Sequence, residues 1–219
     1  ENIPSLLYYG GSDDALLADL KIPFDTPKPV QVAKRLIQSI CKNDDILIDF
    51  FAGSCTAAHA LMLLNAEDGA NRRFIMVQLP EECDEKSEAK KLGYSVVSEI
   101  GKNRIRRAAK KIREEFSEIL ATRNTELDLG FRLLKVDTSN MADVYYSPDV
   151  LEKANLDLFV DNIKPDRTPE DLLFQVMLDW GVDLALPIAK QSIQGKDVFF
   201  VDGNVLTACF DASGSIDET

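Results

Sequence analysis

DILIDFFAGSCTAAHALMLLN, residues 45–65, is the stretch on which the reading of this chain turns. A short apolar run from Ile46 to Ile48 ends in Asp49, a turn of small residues (Ala52, Gly53, Ser54, Cys55) follows, and an apolar helical pattern starts at Thr56. That order predicts a strand, a tight loop and a helix. A turn of glycine and serine lets backbone amides approach a ligand, and a helix N-terminus adds N–H groups without intrahelical partners and the positive end of the helix dipole. A carboxylate or phosphate of a bound cofactor suits such a place. By themselves these residues indicate a nucleotide-type cofactor loop in an α/β fold.

Working outward, Pro27, Lys28 and Pro29 precede Val30, Val32, Ala33, Leu36, Ile37 and Ile40, a spacing of three and four that predicts a helix, with Pro29 in its first turn. Residues 1–26 read as irregular, with turns at Pro4, Gly10–Gly11 and Asp13–Asp14. Downstream, Phe74 to Leu79 is a continuous apolar run of the kind buried parallel strands show. Strand, helix and strand from 46 to 79 make a right-handed βαβ unit the expected connection. Dinucleotide folds commonly end the second strand on an acid that holds ribose hydroxyls; here the position is Gln78.

A short charged helix is expected over 84–93 and a long one from Glu99 to Leu120, with Ile105, Ala108, Ala109, Ile112, Phe116 and Ile119 on one stripe. Lys102, Arg104, Arg106, Arg107, Lys110, Lys111 and Arg113 occupy the rest of the wheel. Spread that widely, they read as a solvated amphipathic face in preference to a phosphate-contacting strip. Residues 131–136 predict a third strand, 138–149 a loose boundary and 150–164 a helix. Thr168, Pro169, Glu170, Asp171 and Gly181 punctuate a further helix, and 198–201 with 205–210 around Asp202–Gly203–Asn204 signal a hairpin.

Composition excludes several classes. The 219 residues can bury one good core, or a core plus a small satellite domain. Neither a signal segment nor an apolar run of about 18 residues is present, so a soluble cytoplasmic protein with no membrane partner is expected. Cys41, Cys55, Cys83 and Cys209 lack zinc or disulfide spacing, and with one histidine in the chain no metal site is expected. The net charge of −12 opposes an autonomous grip on nucleic acid, because phosphate neutralisation needs basic excess. An oxidoreductase of the dinucleotide-binding type is disfavoured: Gly53, Cys55 and Ala58 do not make GxGxxG.

Five segments in order together resemble the modification (Mod) subunits of type III restriction-modification systems, DNA adenine-N6 methyltransferases of the permuted beta arrangement. They are FDTPKP (24–29), DFFAGSCTAAHALMLLNAEDGANRRFIMVQLPE (49–81), GYSVVSEIGKNRIRRAAKKI (93–112), DLGFRLLKVDTSN (128–140) and TPEDLLFQVMLDWG (168–181) with the final hairpin. The resemblance implies an S-adenosyl-L-methionine (AdoMet) site. Phe51, Gly53 and Cys55 match the family's FxGxG loop, Ala52 and Ser54 lie within it, and Asp49 is the acid beneath the cofactor. Thr56 opens the helix facing the methionine carboxylate, Lys28 and Pro29 line the site, and Gln78 stands at the ribose position.

Two departures follow. Cys55 stands where the pattern wants glycine. If the position needs a positive φ, that costs on the order of 1 kcal/mol; if only space is needed, a small thiol fits. A nucleophilic cysteine lacks a His–acid partner, since His59 lies within the helix and reads as packed. The family's DPPY motif, which holds the flipped adenine, does not occur in the chain, so no catalytic residue is assigned. The resemblance therefore implies the C-terminal, AdoMet-binding half of a methyltransferase over 1–140: a partial Rossmann-like sheet of three strands with helices, in the order third, second, first. A small α+β helix-plus-hairpin region over 141–219 follows. The expected partners are DNA through the parent protein, the restriction (Res) subunit and a second copy, since the first strand's far edge is left apolar and unpaired. The isolated chain is expected to be inactive and to bind AdoMet weakly. A non-enzymatic assembly module is the alternative.

Overall fold

Apolar residues occupy nearly the whole circumference of the helix that begins at Thr56, and a helix of that kind has to be covered on all sides. The computed structural model, which describes residues 9, 11–123, 127–142 and 162–211, shows how this is done. In chain order the first elements are α1 (Asp14–Asp19), α2 (Val30–Ile40), β1 (Ile46–Asp49), α3 (Thr56–Asp68), β2 (Arg73–Met76), α4 (Glu88–Lys91), α5 (Val97–Glu115) and α6 (Ser117–Thr122). Helix α3 is the hub. Its Ala60, Leu61 and Leu64 pack on Val30 and Ile37 of α2, while Ala58, Met62 and Ala66 pack on Ile105, Ala108, Ala109 and Ile112 of α5. Phe74 and Met76 of β2 close the remaining side.

Strands β1 and β2 are parallel, with Ile46 opposite Arg73 and Asp49 opposite Met76, which is the expected strand–helix–strand unit. Leu47 and Phe74 are half-buried against the helices, whereas Ile46, Ile48, Ile75 and Val77 leave the opposite sheet face exposed. The far end of α3 is fastened to β2 by polar groups. Asn65 Nδ2 donates to the Arg72 carbonyl at 2.8 Å, Arg72 pairs with Asp68 at 2.9 Å, and Gly69 (φ 79°) terminates the helix in the left-handed region.

Several expectations are corrected. Residues 131–136 do not form a strand, so among the described residues the sheet of this part has two strands instead of three. The chain forms two compact units, Glu1–Phe131 and Arg132–Thr219. Arg132 already belongs to the second unit, where it donates to the carbonyls of Leu184 and Leu186. The segment before residue 26 contains α1, which buries Leu17. Pro29 is the residue preceding α2, not a first-turn residue. The 84–93 helix shortens to α4, capped by the Ser87 hydroxyl, and the long helix breaks at Phe116 (φ −102°, ψ 11°) into α5 and α6, leaving Ile119 exposed.

In the second unit, α7 (Pro169–Asp179) carries the expected N-terminus: the Thr168 hydroxyl accepts from the Asp171 amide and the Asp171 carboxylate accepts from the Thr168 amide. The hairpin is there as β4 (Lys196–Val201) and β5 (Leu206–Cys209), with β3 (Ile188–Ile193) added antiparallel to β4. Strand β3 has mostly exposed side chains, so it lacks the apolar alternation that would reveal it. Leu173 and Met177 of α7 pack on Phe199, Val201 and Leu206. Most of the helix expected over 150–164 lies outside the described residues. Among the described residues no helix is long and apolar enough to cross a membrane.

Candidate functional site

The loop between β1 and α3 is built from its own backbone and from the end of β2. The Val77 amide donates to the Asp49 carbonyl at 2.8 Å and the Ala52 amide to the Val77 carbonyl at 3.1 Å, so the sheet pairing continues past both strands. The Gly53 amide donates to Gln78 Oε1 at 2.7 Å, the Phe51 amide to Asp49 Oδ1 at 3.1 Å, and the Cys55 amide to the Ala52 carbonyl at 2.7 Å. Asp49, Phe51, Ala52, Gly53 and Gln78 are thereby one hydrogen-bonded group. Phe51 is 86% exposed, its ring free to lie against a ligand.

Gly53 (φ 50°) and Cys55 (φ 58°) are both left-handed. The glycine adopts this at no steric cost; the cysteine is strained by roughly 1–2 kcal/mol. The open question about Cys55 is thus decided by conformation. Its thiol is buried and turned to α5: a Cβ on Gly101 would stand 2.6 Å from Cys55 Sγ and 3.1 Å from the Gly53 carbonyl oxygen. The side chain therefore packs behind the loop against a helix that approaches this closely only because residue 101 is glycine. Burial pushes the thiol pKa up to about 11, more than the nearby Arg104 pulls it down, with Asp49 adding to the rise. Cys55 is a neutral packing residue.

Ser54 and Thr56 are buried on either side of Cys55. Both hydroxyls accept from Arg104 Nη1, at 2.9 and 2.8 Å. Arg104 is 0% exposed, which corrects the reading that set it among solvated cations. Of the other cations on α5, Arg107 donates to the Leu20 carbonyl and Lys111 pairs with Asp19, both at α1. His59 is buried, its Nδ1 has no partner among the described residues, and burial, then Arg104 and Lys111, lower its pKa to about 3. It stays neutral.

Upstream, the Phe24 ring would lie 3.9 Å from a Cβ on Gly53, so the 24–29 segment reaches the loop. Lys28 itself is exposed and makes no hydrogen bond or ion pair among the described residues, and Pro29 is half-buried at the start of α2. The α2 N-terminus is held by Asp13, whose Oδ2 accepts from the Val30 amide at 2.5 Å. Arg104, Gly101 and Asp13 are what sequence reasoning missed. A glycine inside a helical pattern was a signal of close approach, and Arg104 falls on the wheel beside Gly101, Ile105 and Ala108, on the buried face. Asp13 gave no signal beyond a turn.

Residues 12–116 match the DNA methylase family, a span that contains the whole of this site. The chain is 43% identical over 109 residues to the type III restriction-modification enzyme StyLTI Mod subunit of Salmonella typhimurium, covering 50% of this chain and 16% of that protein. It is 38% identical over 190 residues to the EcoP15I Mod subunit of Escherichia coli, covering 87% of this chain and 27% of that protein. To the EcoPI Mod subunit of Escherichia phage P1 it is 30% identical over 182 residues, covering 83% and 27%. The chain spans about a quarter or less of the length of these relatives. With its cofactor-type loop between a parallel strand and a buried helix, the 12–116 segment matches the DNA methylase family, and the chain is similar to the Mod subunits of type III restriction-modification enzymes.

Proposed function

We propose that this chain is the AdoMet-binding half of a site-specific DNA adenine-N6 methyltransferase of the type III restriction-modification class. The observation that carries the reading is the donor set of the loop. The first-turn N–H groups of α3 have no partners within the helix, the Ser54 and Thr56 hydroxyls lie beside them over a buried cation, and the amide nitrogen of Gln78 remains a donor after Oε1 has accepted from Gly53. A nucleoside with an amino-acid tail presents a carboxylate and ribose hydroxyls to such a set. Ser54 and Thr56 would hold the carboxylate end, Gln78 the ribose, and Phe51 a ring face of the cofactor. Asp49, Ala52, Gly53 and Cys55 keep the loop in shape, and Lys28 and Pro29 border it. When bound, AdoMet supplies an electrophilic methyl group, and the task of these side chains is alignment of donor with acceptor.

With no DPPY-type sequence among its 219 residues and a net charge of −12, the chain leaves adenine capture and the grip on DNA to the rest of the parent protein. On its own it binds AdoMet weakly and does not methylate DNA. A second reading, an assembly role towards a restriction subunit or a second modification subunit, is favoured at one place: Leu178 and Trp180, 63% and 71% exposed at the end of α7. Amide shifts on titration with AdoMet and with NADH test the first reading. AdoMet is expected to move residues 52–56 and NADH not. No response to AdoMet at millimolar concentration overturns the reading, and methylation of plasmid DNA by the 219-residue chain alone overturns the half-enzyme part of it. Light scattering tests the second: a strict monomer counts against self-assembly.

A further inference from the structure

Arg104 sits in the interior with fewer partners than its charge demands. It is 0% exposed, its Nη1 bonds the Ser54 and Thr56 hydroxyls, and its Nε and Nη2 have no partner among the described residues. No carboxylate pairs with it there. The carboxylate that acts on it is that of Asp13, whose two oxygens accept from the Val30 amide and the Tyr9 hydroxyl. A buried guanidinium with no ion-pair partner among the described residues is costly to the fold, and an anion bound close to it would offset part of that cost.

The hydrogen-bond directions say where that anion goes. A hydroxyl that accepts from a guanidinium still has one proton to give. Neither Ser54 nor Thr56 has an acceptor for its proton among the described residues. Arg104 therefore turns both protons away from itself, at the N-terminus of α3, a helix of 13 residues whose first N–H groups and dipole already favour negative charge.

We infer that Arg104 is the positioning residue of a carboxylate subsite: from behind the loop it orients the Ser54 and Thr56 hydroxyls as donors and supplies the charge that balances the α-carboxylate of an amino-acid-bearing nucleoside. The inference rests on the AdoMet reading and adds to it the residue that makes the loop selective for the cofactor's amino-acid end.

The test compares two nucleosides by calorimetry on the full 219-residue chain: S-adenosylhomocysteine, which carries the carboxylate, and 5′-methylthioadenosine, which lacks the whole amino-acid group. Arg104→Met is expected to weaken the first by at least about 10-fold, the scale of a hydrogen bond to a charged group, and the second by less than about 2-fold, within the same scale. Arg104→Lys, which keeps the charge, recovers part of the loss. Equal weakening of both ligands, or of neither, overturns the inference and leaves the AdoMet reading standing; failure of the unaltered chain to bind either overturns the AdoMet reading itself. Should Arg104→Met not fold, as judged by circular dichroism, Ser54→Ala with Thr56→Val carries the comparison. There too selective loss of S-adenosylhomocysteine supports the inference and equal loss overturns it.

Discussion

Gly101→Ala probes the contact between α5 and the loop most directly. The new methyl would stand 2.6 Å from Cys55 Sγ and 3.1 Å from the Gly53 carbonyl oxygen. The thiol has one torsion to turn about, and the carbonyl belongs to a backbone tied to Gln78, so α5 has to move away. Overpacking of this kind costs about 1–3 kcal/mol. Replacing a helical glycine with alanine returns about 1 kcal/mol, which leaves a net loss of about 1 kcal/mol. In a Cys55→Ala background the backbone strain is unchanged but the sulfur is gone, and the nearest atom of residue 55 is its Cβ at 3.6 Å. There only the 3.1 Å approach to the Gly53 carbonyl oxygen remains, so Gly101→Ala should cost less by about 1 kcal/mol, which is the coupling between the two positions. Native-state hydrogen exchange of α3 and α5 amides is the assay, because the one tryptophan, Trp180, lies in the other unit. If Gly101→Ala has the same effect with and without the thiol, the packing derived for Cys55 is wrong.

Two further outcomes are expected. His59 is held neutral in the fold with a pKa of about 3, against an ordinary value of 6.5, so the unfolded chain binds the proton first. Its contribution is complete above pH 6.5 and is lost as the pH falls from there towards 3, amounting to about 2 kcal/mol at pH 5. His59→Leu should flatten that part of the pH–stability curve, and parallel curves for the two proteins would show that His59 takes up its proton freely. Thr168→Ala removes the cap of α7 and should cost about 1 kcal/mol, read in urea by the fluorescence of Trp180 at the end of the same helix. An unchanged midpoint would mean that the capping box contributes nothing.

What the sequence determined by itself was local and periodic. The run Ile46 to Asp49, the small-residue turn and the apolar helix from Thr56 were enough to predict β1, the loop and α3, because strand, turn and helix propensities agree there. The signals around Thr168 located α7 for the same reason. Where local signals were weak or misleading, tertiary structure decided. Residues 131–136 have strand composition, yet the segment passes to the second unit, where Arg132 bonds the carbonyls of Leu184 and Leu186. Strand β3 forms because β4 offers it an edge, not because its own side chains alternate. The conformation of Cys55 was undetermined in the sequence, since a small thiol suits either a tight or an open turn. The approach of α5 across Gly101 determines where its sulfur goes. Arg104 shows the same division: by residue type it belongs with the solvated cations of its helix. Only the packing of α5 on the loop carries its guanidinium into the interior, under two hydroxyls 50 and 48 residues away.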